Sequence, residues 1–432
     1  MKINRGVFLV FSFLAALCTA AYADSAPLDI KEALRLTLEN NAELKRLRQD
    51  LVKADAFRIK ADGTRLPAIS VAAVADIQRE PQTSDGSDRS DSRGIAAALE
   101  QELYTGGRNS AIRAQAPQVK TLADMAVADA ENSAAGELYA LFYNVSLRKK
   151  QIEAEEAAVT TSEMHLKQVR KMLELGLANR LEEIRAGQQL AGNMANLATA
   201  HGLFESSLIS LMNYMGIEPK NSRPVSGDLY EPAEPEDKAA SLELAQRFRA
   251  DKKRLEEQIR YQENQIKIER SAMLPKLTAG LSSGWTNPYR QRDDSGDSWR
   301  AEISLAIPVF DRNVSRSAVI AAKAVQEQNR IALEQKDLDI KSEIETAWTD
   351  IITSRKSMRA QEKALELAKE TLRLAEIGYR EGVTPQLDLL DAQSGLTRAQ
   401  LEYNRALYNC LIASVALKVT EGTIVSWDGE EH

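Results

Sequence analysis

The chain is written twice, and that duplication constrains its fold more than any single motif does. Leu66-Pro67 in TRLPAISV returns as Leu274-Pro275 in AMLPKLTA, and ELYTGGRN returns as IPVFDRNV, with Tyr104 matched by Phe310. At a repeat distance of roughly 206 residues, Gly176 in GLANRLEEIRAG matches Gly382 in GVTPQLDLLDAQ, and Gly216 matches Gly422. Between the copies lies IEPKNSRPVSGDLYEPAEPED, where Pro219, Pro224, Pro232 and Pro235 forbid a continuous helix or a central strand. The expected organisation is repeat one over 24–217, a Pro-rich linker over 218–240, repeat two over 241–422 and a tail over 423–432.

Within each copy the hydrophobic period changes in the same order. A helix of modest length is expected over about 30–60 and again over about 242–271, each leaving through Leu-Pro because the residue before proline is driven out of helical space. In SWRAEISLAIPVF, Trp299, Ala301, Ile303, Leu305, Ile307 and Val309 alternate with Arg300, Glu302, Ser304 and Ala306. That is the two-residue period of a strand with one apolar face. LTAGLSSGW is its expected hairpin partner, and ISVAAVADI with the weaker alternation over 94–104 forms the counterpart in repeat one. The hairpins are expected at about 66–104 and 274–310, closed by the polar loops EPQTSDGSDRSDS and NPYRQRDDSGDS. Helical stretches over 110–175 and 317–377 follow, each able to span roughly 90 to 100 Å at 1.5 Å per residue. Small residues on several faces, such as Ala321, Ala322 and Ala324, suit a helix with neighbours on two sides, and a plain coiled coil fits the periodicity as well.

Export is written at the N-terminus. Lys2 and Arg5, the apolar run GVFLVFSFLAALC and Ala21-Tyr22-Ala23 read as a signal peptide over 1–23, while the large Leu17 suits lipid attachment at Cys18 poorly. Cleavage leaves Cys410 as a lone cysteine, unable to form an internal disulfide and expected to be a small core residue. Removal of Lys2 and Arg5 takes the formal charge from −7 to −9, with basic residues dispersed, so nucleic-acid binding is not expected. After the signal no segment approaches the roughly 18 consecutive apolar residues of a membrane-spanning helix. Any spanning part must therefore be a closed barrel. Four strands in lipid would leave two edges of unpaired backbone groups, each costing several kcal/mol, so copies must pool strands: two chains are the minimum and three give a water-filled pore.

Reactive chemistry is sparse. His165, His201 and His432 stand in no triad or metal-ligand spacing, and no catalysis, cofactor or metal is expected. YTGGRN could pass for a phosphate-cradling loop, but its mate FDRN lacks both glycines, which favours a strand-to-helix turn. Met164, Met172, Met212 and Met215 read as core filling. In GVTPQLDLLDAQ, Thr384 is expected as N-cap and Pro385 as the first helical residue, so the helix dipole alone would favour Asp388 and Asp391.

The duplicated order, together with YREGVTPQLDLLDAQSGLTRAQLEYNRALY, resembles the TolC-like outer membrane efflux protein family over essentially the whole mature chain. The resemblance implies a mainly α fold with a transmembrane β-barrel portion. In it a homotrimer forms a twelve-stranded barrel, four strands per chain, continued by a long α-helical barrel across the periplasm. It implies an outer membrane exit channel of a tripartite efflux or type I secretion system, with a periplasmic adaptor and an inner-membrane transporter as partners and outer membrane lipid around the strands. The turns carrying Gly176, Leu181 and Ala186, and Gly382, Leu387 and Ala392, would form the tunnel tip and the adaptor-docking site. Tyr379, Asp388 and Asp391 stand at the family's gate positions. One position departs: the family often has a basic residue where this chain has Thr384. Repeat one supplies Glu182 and Arg185 at the positions equivalent to Asp388 and Asp391, which makes Arg185 a candidate basic partner, and a tyrosine-to-carboxylate bond could substitute. Drug, metal and polypeptide export all remain open, and the competing class is a periplasmic coiled-coil protein that never enters the membrane.

Overall fold

Two residues that periodicity passes over, Asn41 and Arg249, each break a helix in two. The computed structural model describes residues 27–78, 90–218, 223–235, 237–288 and 296–427, so the signal segment, Cys18 and His432 lie outside the described residues. Where one helix was expected over 30–60 there are α1 (Ile30–Asn40) and α2 (Ala42–Gly63). Asn41 leaves the helical conformation between them, its Oδ1 accepting from the N–H groups of Glu43 and Leu44 at 3.0 and 3.3 Å and its Nδ2 donating to the Tyr214 carbonyl at 3.1 Å. In the second repeat α5 (Lys238–Phe248) and α6 (Ala250–Ser271) break at Arg249, whose guanidinium pairs with Glu343.

One unit comprises Leu47–Val127 and Ala250–Leu338 and holds the strands. β1 (Ala68–Gln78), β2 (Ser90–Thr105), β3 (Lys276–Pro288) and β4 (Gly296–Ala306) form one antiparallel sheet in that order. The inner pair joins the repeats, with Gly94 opposite Thr286 and Leu99 opposite Leu281, and a bulge interrupts β2 between Glu102 and Tyr104. Alternation had carried the last strand to Val309, yet β4 stops at Ala306. Pro308 has no N–H to give to a ladder, and Ile307, Val309 and Phe310 are left exposed.

The turns after β2 and β4 take the same left-handed path with different residues. Gly106 and Gly107 adopt φ of 61° and 87°, and their repeat mates Arg312 and Asn313 adopt 59° and 65°. Asp311 anchors the second turn, its Oδ2 accepting from the Ser315 N–H at 2.8 Å, and hydrogen bonding from the Ser315 hydroxyl and then from that N–H holds its carboxyl below the usual carboxylate range. Arg312→Gly is expected to raise stability by about 1 kcal/mol, because a side chain in this region costs roughly 1–2 kcal/mol and glycine's freedom in the unfolded chain cancels part of the gain. Thermal denaturation checks this, and an unchanged or lower midpoint would contradict it.

Long helices complete each repeat: α3 (Arg108–Glu174) with α4 (Arg180–Tyr214), then α7 (Val314–Arg380) with α8 (Gln386–Glu421). Both α3 and α7 run to 67 residues, so the duplication persists in length as well as in landmarks. Among the described residues no helix is long and apolar enough to cross a membrane.

The other unit, residues up to Arg46, Ala128–Arg249 and Asp339 onward, has an aromatic core. Tyr139, Phe142 and Tyr143 of α3 pack with Leu28, Leu211, Met212, Met215, Leu411 and Val415. Ring edges interlock, Phe142 on Tyr143 at 5.5 Å and Tyr143 on Tyr230 at 6.0 Å between centroids. The linker is pinned to this core. Leu28 and Val225 form a parallel bridge, and Ser146 Oγ donates to the Gly227 carbonyl at 2.6 Å. Cys410 is fully buried beside Met358 and Ala406, whereas Met164 is exposed.

Candidate channel site: a two-faced sheet and two turns

Ladder register sorts the strand residues into two faces. On one lie Ile69 and Val71, Ile95, Ala97 and Leu99, Leu281 and Trp285, then Trp299, Ala301, Ile303 and Leu305. The first face also carries Gln101 and Ser283; the other carries Ser70 and Val74, Ala96 and Ala98, Thr278, Gly280 and Ser282, then Arg300, Glu302 and Ser304, and is the more polar of the two. Within the chain Trp299 is 77% exposed and Ile303 74%, so none of the described helices covers the apolar face there. Among the described residues, β1 and β4 have one ladder partner each and leave both outer edges unpaired.

In the other unit, two turns repeat each other. Gly176, φ 75°, ends α3 with its N–H on the Leu173 carbonyl, and Leu177 N–H reaches the Met172 carbonyl at 2.7 Å. Gly382, φ 73°, ends α7, where the N–H groups of Val383 and Thr384 both reach the Gly378 carbonyl, at 2.8 and 3.0 Å. Asn179 then caps α4, accepting from the Glu182 N–H at 3.0 Å while its amide donates to Glu182 Oε1 at 2.8 Å. The second turn differs from the expected cap. Pro385, not Thr384, stands at the N-cap of α8, and Gln386 is the first helical residue. Thr384 instead packs over Gly378, where a Cβ would lie only 2.0 Å from the threonine Oγ1.

A polar cluster links the two helical hairpins behind these turns. His165 of α3, 5% exposed, meets the Tyr379 ring edge-on at 5.6 Å between centroids. Gln386 Nε2 lies 2.8 Å from the Glu182 carbonyl oxygen and 3.2 Å from His165 Nε2. Burial lowers the histidine's proton affinity, while burial and then the nearby Glu182 raise that of the Tyr379 hydroxyl, which has no hydrogen-bond partner among the described residues. Farther along, Gln189 Nε2 donates to Ser394 Oγ at 3.2 Å, a second tie between α4 and α8.

The residues picked from the sequence thus fall into three groups. Tyr379 and Glu182 come together and are half-buried. Asp388, Asp391 and Arg185 are exposed, and among the described residues Arg185 forms no salt bridge to either aspartate within the chain. At the turns Leu181 and Leu387 are about half exposed, at 53% and 50%, while Ala186 and Ala392 are buried. Sequence reasoning missed His165 and Gln386 as partners, since they meet 221 positions apart.

A four-stranded sheet with an apolar face and a polar face, in a chain whose described helices are too polar to cross a bilayer, has the make-up of a β-type membrane channel protein. A family model described as outer membrane efflux protein matches residues 33–217 and 243–423. The chain belongs to the outer membrane efflux protein family, and its place is the outer membrane, with a large periplasmic helical part. The cobalt-zinc-cadmium resistance protein CzcC of Cupriavidus metallidurans is 22% identical over 88% of this chain and 86% of its own length. Nodulation protein T of Rhizobium leguminosarum bv. trifolii is 25% identical over 41% of this chain, and that match spans only 38% of the relative. Among solved structures, the Campylobacter jejuni CmeC outer membrane channel matches with a TM-score of 0.79 at 16% identity, covering 93% of this chain and 87% of that one, a likeness of fold.

Proposed function

We propose that three copies of the chain form the outer membrane exit duct of a tripartite efflux or type I secretion system. Each contributes four strands to a closed barrel and its long helices to a periplasmic tunnel that ends at the Gly176 and Gly382 turns. The observation that carries this reading is the sheet: its apolar face suits lipid, its polar face suits a water-filled lumen, and its two open edges call for neighbouring copies. Leu181 and Leu387, exposed beside the two glycine turns, offer an apolar surface to a periplasmic adaptor, which couples the duct to an inner-membrane transporter. The relatives' names range from metal resistance to nodulation, so the reading concerns the duct and not its cargo. No catalytic step belongs to it.

Asp388 and Asp391 lie three apart on α8 and are exposed, so a trimer gathers six carboxylates around its closed end. The test is conductance of the purified full chain in planar bilayers. The Asp388→Asn, Asp391→Asn channel should lose cation preference and any block by multivalent cations added from the periplasmic side, and Tyr379→Phe should raise conductance if its hydroxyl helps to latch the closed tip. Unchanged selectivity in an intact double-mutant trimer would leave the aspartates as ordinary acidic residues near a helix start. A wild-type protein that fractionates as a soluble extended dimer would overturn the duct altogether.

A further inference from the structure

We infer that His165 and Gln386 are the positioning residues of the tip, and that together they form a proton-sensitive clasp between its two helical hairpins. The inference rests on the duct reading for its consequence but not for its geometry. Gln386 Nε2 can only donate, and both atoms in its reach, the Glu182 carbonyl oxygen at 2.8 Å and His165 Nε2 at 3.2 Å, must accept. The carbonyl fixes which way the amide points. His165 is therefore neutral, with Nε2 bare and its proton on Nδ1.

Protonation leaves the amide no good orientation. An imidazolium presents an N–H at Nε2, so donor would face donor. Turning the amide to offer Oε1 to the ring would set that oxygen against the Glu182 carbonyl, acceptor against acceptor. Whichever bond survives, the three-way junction of α3, α4 and α8 is lost, and the Tyr379 ring loses the fixed imidazole it packs against. Among the described residues Tyr379 Oη and Gln386 Oε1, both buried, have no hydrogen-bond partner.

The surroundings offer an imidazolium little compensation. From α7 the facing titratable group is the Tyr379 phenol, and from α4 it is Glu182, whose Oε1 is held by the Asn179 amide. On α8 the neighbouring charges, Asp388 and Asp391, are exposed, as are Glu163 and Lys167 on α3 itself. Burial therefore governs, and it lowers the closed clasp's affinity for a proton. A group whose closed-state value lies below its free value adds full stability above the free value, about 6.5 for histidine, and loses it as pH falls through the lowered one. The clasp holds at neutral pH and slackens in mild acid.

Two measurements test this. In planar bilayers the wild-type channel should conduct severalfold better at about pH 5.5 than at about pH 7.5, a window set by histidine titration. His165→Phe, which keeps an aromatic ring against Tyr379 but has no proton to gain, should lose that response, whereas the Asp388→Asn, Asp391→Asn channel should keep it. A flat wild-type profile, or an equal response in His165→Phe, overturns the clasp. Independently, nitrogen NMR of the histidine-labelled full chain should find His165, assigned by its loss in His165→Phe, with Nε2 unprotonated at neutral pH. A proton on that nitrogen overturns the clasp whether or not the protein conducts, and a protein with the expected tautomer that conducts at no pH overturns the duct reading alone.

Discussion

Phe142→Ala will cost about 3–5 kcal/mol, a large share of the roughly 5–15 kcal/mol by which a folded domain is stable, and will lower the melting midpoint of the linker-bearing unit. The ring is 1% exposed and sits edge-on to Tyr143, so its removal deletes both buried area and an aromatic pair. What makes the loss hard to repair is Gly227. A Cβ on that glycine would fall 2.6 Å from the phenylalanine Cε1, so the linker backbone lies directly on the ring. Truncation leaves a cavity walled by a residue with no side chain to swing in. The converse substitution, Gly227→Ala, should injure the same spot by overpacking, by about 1–3 kcal/mol. Thermal denaturation followed by helical circular dichroism would measure both, and a loss under about 1 kcal/mol for Phe142→Ala would mean that the core closes over the gap.

Gly216→Ala should be the other severe change, and the two turn glycines Gly176 and Gly382 supply the control. Gly216 and Gly176 share left-handed backbones, φ 70° and 75°, so alanine at either position incurs the same conformational cost of about 1–2 kcal/mol. Only at Gly216 does a Cβ meet a wall, the Asn40 carbonyl oxygen at 2.8 Å, at the break between α1 and α2 where Asn41 holds Tyr214. Nothing lies within 4 Å of a Cβ at Gly176 or Gly382. Gly216→Ala should therefore lower the melting midpoint clearly more than Gly176→Ala or Gly382→Ala. Equal shifts in the three variants would show that strain alone, and not the contact with α1, sets the cost.

These contrasts mark what the sequence could and could not disclose. The duplication was readable because it is carried by glycines with a backbone reason to recur: Gly176 with Gly382 and Gly216 with Gly422 are all left-handed. It was also readable in FDRN, which keeps the turn of YTGGRN while abandoning its glycines, although nothing in that tetrapeptide disclosed that Arg312 and Asn313 would bear positive φ. Breaks at Asn41 and Arg249 escaped because neither residue forbids a helix by itself; each is fixed by a partner far along the chain, Tyr214 in one case and Glu343 in the other. Alternation overran Pro308 because it counts side chains, whereas a ladder counts N–H groups. Near the turns, Asp388 and Asp391 were visible as charges at a helix start, while His165 and Gln386 became meaningful only once folding had brought their nitrogens together.

The join between β2 and β3 sets a timetable for biogenesis. Gly94 and Thr286 are neighbours in the sheet although about 190 positions separate them in the chain. When the first hairpin emerges on the far side of the inner membrane, the strand that will cover β2 is still being delivered. For that interval β2 presents unpaired N–H and C=O groups, and both strands present their apolar face to water, the combination that templates pairing with any stray strand. A half-exported chain is therefore an aggregation hazard by construction, and the hazard lasts until the second hairpin arrives to cover β2.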